Sequence, residues 1–163
     1  MTKLLLSLHV LAAIVAVGPV TVAASMFPAT LRRALGDCDD DARTTLRTLH
    51  RICRVYAGLG IAVPLFGFAT ASSLGVLGDA WLIISILLTA AAAGVLALLI
   101  LPAQDRALAE TTTSASPSPA PSPAPAPASS IPGRIAMLTG IFNLLWATVT
   151  VLMIIRPGST TGV

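Results

Sequence analysis

Few side chains in this sequence are equipped for chemistry. His9 stands inside a long apolar run, KLLLSLHVLAAIVAVGP. An ionisable group within a membrane span is a functional candidate by default, as ligand, proton relay or partner of a neighbouring helix. The other histidine, His50, falls in a polar stretch, TTLRTLHRICR. Cys38 and Cys53 are fifteen positions apart, with neither a CxxC nor a metal-ligand spacing, so both read as free thiols. His9 with Met153 would supply two donors to a copper ion, too few for a convincing centre. There is no nucleophile beside a base, no Gly-rich phosphate loop and no metal cluster. The residues therefore point to no catalytic group, no metal site and no cofactor, with His9 as the single candidate cofactor ligand.

Those residues sit in an unusual composition. Of 163 residues, 55% are hydrophobic and 10% charged, and the mean hydropathy is +0.88. Soluble domains carry about 25% charged residues, so this chain cannot clothe a water-facing surface. Four apolar runs, at about 4–27, 55–76, 81–101 and 135–155, hold no acidic or basic side chain except His9. About 20 helical residues cross a bilayer. The fold expected is all-α, a four-transmembrane-helix bundle forming one domain over 1–163.

The first run mimics a secretory signal, with a small-residue stretch ending at Ala24. It is longer than the 7–15 apolar residues of a signal, and an uncleaved helix is expected. Arg32, Arg33, Arg43, Arg47, Arg51, Arg54, Arg106 and Arg134 lie between spans one and two or three and four, against Lys3 and Arg156 on the other side. Eight against two predicts a multi-pass protein of the inner (plasma) membrane with both long connections in the cytoplasm and both termini outside. The short link Leu77-Gly78-Asp79-Ala80 makes spans two and three antiparallel neighbours.

The first connection has a helical pattern. Asp39, Asp40 and Asp41 suit a helix N-terminus. Arg43, Arg47, Arg51 and Arg54 then recur on one face, with Leu46, Leu49, Ile52, Cys53 and Tyr56 opposite. This is an amphipathic cytoplasmic extension running directly into the second span, whose basic stripe meets anionic lipid headgroups. The second connection, TTTSASPSPAPSPAPAPASS at 111–130, cannot form a helix. It reads as a disordered Pro/Ala/Ser-rich linker of polyproline character.

Within the membrane, a rise of about 1.5 Å per residue puts Thr70, Ser85 and Thr150 at the depth of His9, with Thr89 slightly deeper. If their faces converge, they form an intramembrane polar layer. Asn143 is expected to bond a neighbouring helix. Pro19 and Pro64 each free a carbonyl, at Val15 and Gly60, and invite kinks. Haem held between histidines of this one chain is excluded by the topology, because His50 lies across most of the bilayer from His9, on the order of 25 Å.

The opening KLLLSLHVLAAIVAVGP and the close NLLWATVTVLMIIRPG resemble a bacterial family of predicted integral membrane proteins, domain of unknown function twenty-two sixty-nine. A more distant likeness, carried by a histidine early in the first helix, extends to copper-resistance D-type four-helix membrane proteins. His9 and Gly18 match that opening, whereas the distant relatives' further ligands have no counterpart. The resemblance implies architecture rather than activity.

The leading functional expectation is a non-enzymatic structural or complex-associated membrane subunit, as a homo-oligomer or in a larger complex, with no nucleic-acid partner. The alternatives are a redox or metal/haem-binding membrane protein using His9, and a small carrier or channel. The topology makes a direct prediction. A reporter fused within the connection between spans one and two should signal a cytoplasmic position, and a reporter at either terminus an external one.

Overall fold

In the computed structural model, which describes residues 2–36, 40–113 and 130–158, the chain is helical with no strand among the described residues. Helix α1 runs Thr2–Gly36, α2 Asp40–Leu59, α3 Ala62–Leu74, α4 Ala80–Gly94, α5 Leu101–Thr113 and α6 Ser130–Ile155, with a π-helical turn at Val95–Ile100 joining α4 to α5. End to end, these make four rods long and apolar enough to cross a membrane: Thr2–Gly36, Asp40–Leu74, Ala80–Thr113 and Ser130–Ile155. The linker reading at 114–129 lies outside the described residues. Its edges differ from expectation, since Thr111–Thr113 close α5 and Ser130 opens α6.

The rods are longer than a bilayer needs. Thirty-five residues span about 52 Å, against about 30 Å of hydrocarbon. The excess lies at the end that carries the α1–α2 connection and most of the arginines, hereafter the basic end. There the helices keep packing on one another. Ala23, Ala24, Phe27, Leu31 and Ala34 of α1 form one buried cluster with Ala42, Leu46, Leu49 and Cys53 of α2, Ala107 of α5 and Ile135 of α6. What the sequence presents as connections is thus largely bundle. Along the spans the outward side chains are apolar and bare, among them Ile14, Leu65, Leu98, Leu144 and Ile154, as lipid contact requires.

Prolines shape the rods unequally. Pro19 and Pro28 sit within an unbroken α1. The amphipathic helix runs directly into the span as α2, which continues unbroken to Leu59, and the second rod then breaks inside the span, at Gly60–Ile61 ahead of Pro64. The Gly60 carbonyl, denied a partner at Pro64, accepts the Val63 N–H at 3.1 Å instead. In the third rod Pro102 offers no N–H to the Leu98 carbonyl. The register widens ahead of it, and the Leu101 N–H reaches back five residues to Leu96 O.

The turn between α3 and α4 opens with Gly75 in the left-handed region, φ 69°, a position that favours glycine. Val76 N–H donates to Ala71 O and Gly75 N–H to Ser72 O, which satisfies two otherwise orphaned carbonyls. The two arms meet near the turn through Ala71, Trp81 and Leu82. Farther along, α3 packs chiefly on α1 and α4 on α6, and the arms meet again where α5 packs on α2. At this hairpin end Trp81 Nε1–H donates to Asp79 Oδ2 at 3.0 Å. The Arg156 guanidinium lies 5.7 Å from the Trp81 ring centroid, a cation–π contact that ties α4 to the end of α6.

Phe27 is wholly buried at the basic end, whereas Leu98 is 74% exposed on the outer wall of the bundle. Phe27→Ala should therefore lower stability by about 3–5 kcal/mol. Leu98→Ala in lipid should leave it nearly unchanged, because its neighbours are acyl chains in either state. Reversible unfolding in bicelles measures both.

Candidate functional site

Two polar nodes emerge, one around each histidine, the first half-buried and the second buried. The first joins α1 to α3. His9 Nδ1 lies 2.9 Å from the Val63 carbonyl oxygen. A carbonyl only accepts, so Nδ1 carries the proton and donates, and Nε2 is left with its lone pair. Room for the ring comes from Gly67. A Cβ there would stand 3.0 Å from His9 Cε1 and 3.2 Å from Nδ1, so the ring would have to give by a few tenths of an ångström. The sequence marks His9 as an inward group but gives no hint that a backbone carbonyl is its partner. Gly67 was the available signal.

The hydroxyls grouped with His9 behave individually. Thr70 donates to Phe66 O, Ser85 to Trp81 O, Thr89 to Ser85 O and Thr150 to Trp146 O, each at the carbonyl one turn back in its own helix. Thr70 and Ser85 are buried, Thr89 is half-buried, and Thr150 faces outward. No hydrogen bond among the described residues joins any of them to His9. Met153 packs against the cluster of Ala71, Trp81 and Leu82. Asn143 Nδ2–H donates to Ser25 Oγ of α1 at 3.3 Å, an interhelical contact of a kind worth about 0.6 kcal/mol.

The second node lies at the basic end, between α2 and α5. His50 Nδ1 is 3.0 Å from Gln104 Oε1, and Gln104 Nε2–H points to Cys53 Sγ at 3.8 Å. Asp105 Oδ1 stands 3.0 Å from His50 Nε2, yet Nε2 makes no hydrogen bond. The carboxylate is within ion-pair distance but off the N–H direction. Gln104 and Cys53 are fully enclosed, and His50 is 7% exposed.

The π-helical turn positions this node. One extra residue in a turn rotates everything after it by about 100°, and Gln104 follows four residues beyond the turn's last position, Ile100. The sequence places His50 in a polar stretch ahead of the second span and does not single out Gln104 or Asp105. The available clue was two polar residues directly after LLILPA, opposite a His-x-x-Cys pair one helical turn apart.

The basic stripe divides. Arg43 is half-buried and pairs with Asp40 at 2.9 Å. Arg47, Arg51 and Arg54 are exposed, while Leu46, Leu49 and Cys53 on the opposite face are buried.

A metal or haem at His9 would use the open Nε2 as one ligand. Further ligands are lacking, because no group of three His, Cys, Asp or Glu able to hold a metal occurs among the described residues. His50 is committed to Gln104 at the other node. The donor set among the described residues therefore does not fit a complete metal or bis-histidine haem site.

The family model described as predicted integral membrane protein (DUF2269) matches residues 3–157. No curated protein matches, and no solved structure does.

The His9–Gly67 contact is open to a direct test. Gly67→Ala should cost about 1–3 kcal/mol, the usual penalty of overpacking, because the ring must shift against its bond to the Val63 carbonyl. In a His9→Ala background the same change should cost under about 0.5 kcal/mol, the scatter expected of uncoupled sites. A double-mutant cycle by unfolding in bicelles reads the coupling.

Proposed function

The chain belongs to the DUF2269 family of predicted integral membrane proteins, and from that premise we propose that it is a non-enzymatic membrane subunit whose basic end grips anionic lipid headgroups at the cytoplasmic leaflet. The observation that carries this reading is the state of Arg47, Arg51 and Arg54. All three are exposed, and none is ion-paired within the described residues. They project from a helix whose other face is fixed in the bundle by Leu46 and Cys53, both fully buried. A charged stripe held rigidly beside a bilayer has phosphodiesters as its nearest counter-ions.

Orientation supports the same reading. The eight arginines of the basic end, set against Lys3 and Arg156 at the other, favour the inner side of the membrane. Long aliphatic stems let such side chains lie along apolar surface while the guanidinium reaches the headgroups. The polar hydrogens in the spans are largely committed within the bundle. His9 donates to a backbone carbonyl, and the hydroxyls that join it in depth bond within their own helices. That is the pattern of a structural element rather than an active centre.

Each basic side chain near an anionic surface contributes about 1 kcal/mol, so three together amount to about 3 kcal/mol, or on the order of 100-fold in affinity. Native mass spectrometry of protein released from mixed phosphatidylglycerol and phosphatidylcholine nanodiscs tests this. The wild type should retain phosphatidylglycerol selectively, and Arg47→Gln/Arg51→Gln/Arg54→Gln should lose that selectivity while keeping its helical content. Equal selectivity in the two proteins would refute the reading.

A further inference from the structure

The His50 ring is matched on one side and bare on the other. Nδ1 donates to Gln104 Oε1 at 3.0 Å, which suits a neutral imidazole, and Nε2 then keeps its lone pair. That nitrogen is enclosed and makes no hydrogen bond, on a side chain only 9% exposed. Asp105 Oδ1 stands 3.0 Å from it. Two acceptors thus lie side by side, with no donor between them among the described residues. Such a pair calls for an N–H from outside the chain, since unmatched polar groups in enclosed surroundings are costly. The way in is Asp105, whose side chain is 59% exposed.

The surroundings restrict what can enter. Arg47 and Arg54 lie one helical turn to either side of His50 on α2, and Arg51 follows it directly. All three are exposed, and among the described residues none comes within ion-pair distance of Asp105. Carboxylate and guanidinium groups also share a depth. Asp105 lies four residues past Leu101, where the third apolar run ends, and Arg51 four residues before Val55, where the second begins. At a rise of about 1.5 Å per residue, each stands about 6 Å beyond the hydrocarbon, in the headgroup layer.

A lone cation, whether a metal ion or a lysine of another protein, meets repulsion from three guanidinium groups on its way to Asp105. A phosphate alone leaves the acceptor pair unanswered. The charges are complemented by a molecule that carries a phosphate and, a short chain away, an ammonium with N–H groups.

We propose that Arg47, Arg51, Arg54 and Asp105, with His50 Nε2 behind the carboxylate, bind a phospholipid headgroup that ends in a primary ammonium. The guanidinium groups hold the phosphate, and Asp105 accepts from the ammonium. This rests on the arginine reading given above and narrows it from net charge to headgroup chemistry. A choline headgroup has the same net charge as an ethanolamine one but no N–H, so it cannot make the charge-assisted bond.

Native mass spectrometry of the full chain released from nanodiscs of mixed phosphatidylethanolamine and phosphatidylcholine tests this, beside the phosphatidylglycerol and phosphatidylcholine pair. Net charge cannot separate the first two lipids. The wild type should retain phosphatidylethanolamine over phosphatidylcholine by about tenfold, the worth of one charge-assisted bond at a partly exposed site. Asp105→Asn should lose that preference and keep phosphatidylglycerol over phosphatidylcholine. Its new amide can donate to His50 Nε2, so the fold should persist, as unfolding in bicelles checks. Asp105→Glu, which returns a carboxylate, should restore the preference. A wild type that selects phosphatidylglycerol yet treats ethanolamine and choline lipids alike overturns this inference and leaves the arginine reading standing. A preference for ethanolamine that survives Asp105→Asn overturns it as well. A wild type without phosphatidylglycerol selectivity fells the arginine reading, and this one with it.

Discussion

Hydrocarbon offers no hydrogen bond, and the architecture follows from that deficit. Each polar atom inside the spans must find its partner in the protein. Most do so without leaving their helix: Ser7, Thr70, Ser85, Thr89, Thr148 and Thr150 all donate to the carbonyl one turn back. Such bonds tie up the polar groups but join nothing to anything. The helices are held instead by close contact over small side chains, among them Ala16, Ala23, Ala24 and Ala92, all nearly or fully buried. Apolar burial drives helix association weakly where the solvent is itself apolar. The few bonds that cross between helices, from His9 to Val63, from Asn143 to Ser25, from Thr139 to the Ala24 carbonyl, between His50 and Gln104 and from Gln104 to Cys53, therefore stand out as register marks.

Both histidine contacts lie beside a proline irregularity. Val63 directly precedes Pro64, at the start of α3 just past the break in the second rod. Gln104 follows Pro102 at the end of the π-helical turn. In each case a missing N–H forces the backbone out of the plain α-register, and a polar group comes to face a neighbouring helix. The prolines shape where the polar contacts fall, and the histidines occupy the places so made.

How far the sequence speaks depends on which force writes each feature. The four spans are legible because length and absence of charge are demanded by the bilayer itself. The two faces of α2 are legible because Arg and Leu recur at helical spacing. The reach of α1 to Gly36 and of α5 to Thr113 is not, since mixed sequences such as PATLRRALG and AQDRALAE look like loop until partners are present to bury Leu31, Ala34 and Ala107. The His50 node was hidden for another reason. Gln104 is 54 positions from His50 and 51 from Cys53, and only a slip of about 100° in the backbone, invisible in composition, brings it opposite them. His9 was legible as a residue of interest, but a main-chain oxygen has no letter of its own.

Rods about 52 Å long that remain helical and packed past the hydrocarbon have a consequence for where this protein can reside. A span that ends in coil at the headgroups is matched to one membrane thickness, and departures from it cost fractions of a kcal/mol per Å. Here the ladder of backbone bonds continues through α1 to Gly36 and through α5 to Thr113. The bundle can ride a few ångströms higher or lower without unravelling a turn, while long guanidinium stems take up the difference. Such vertical tolerance suits a molecule that meets membranes of varying depth.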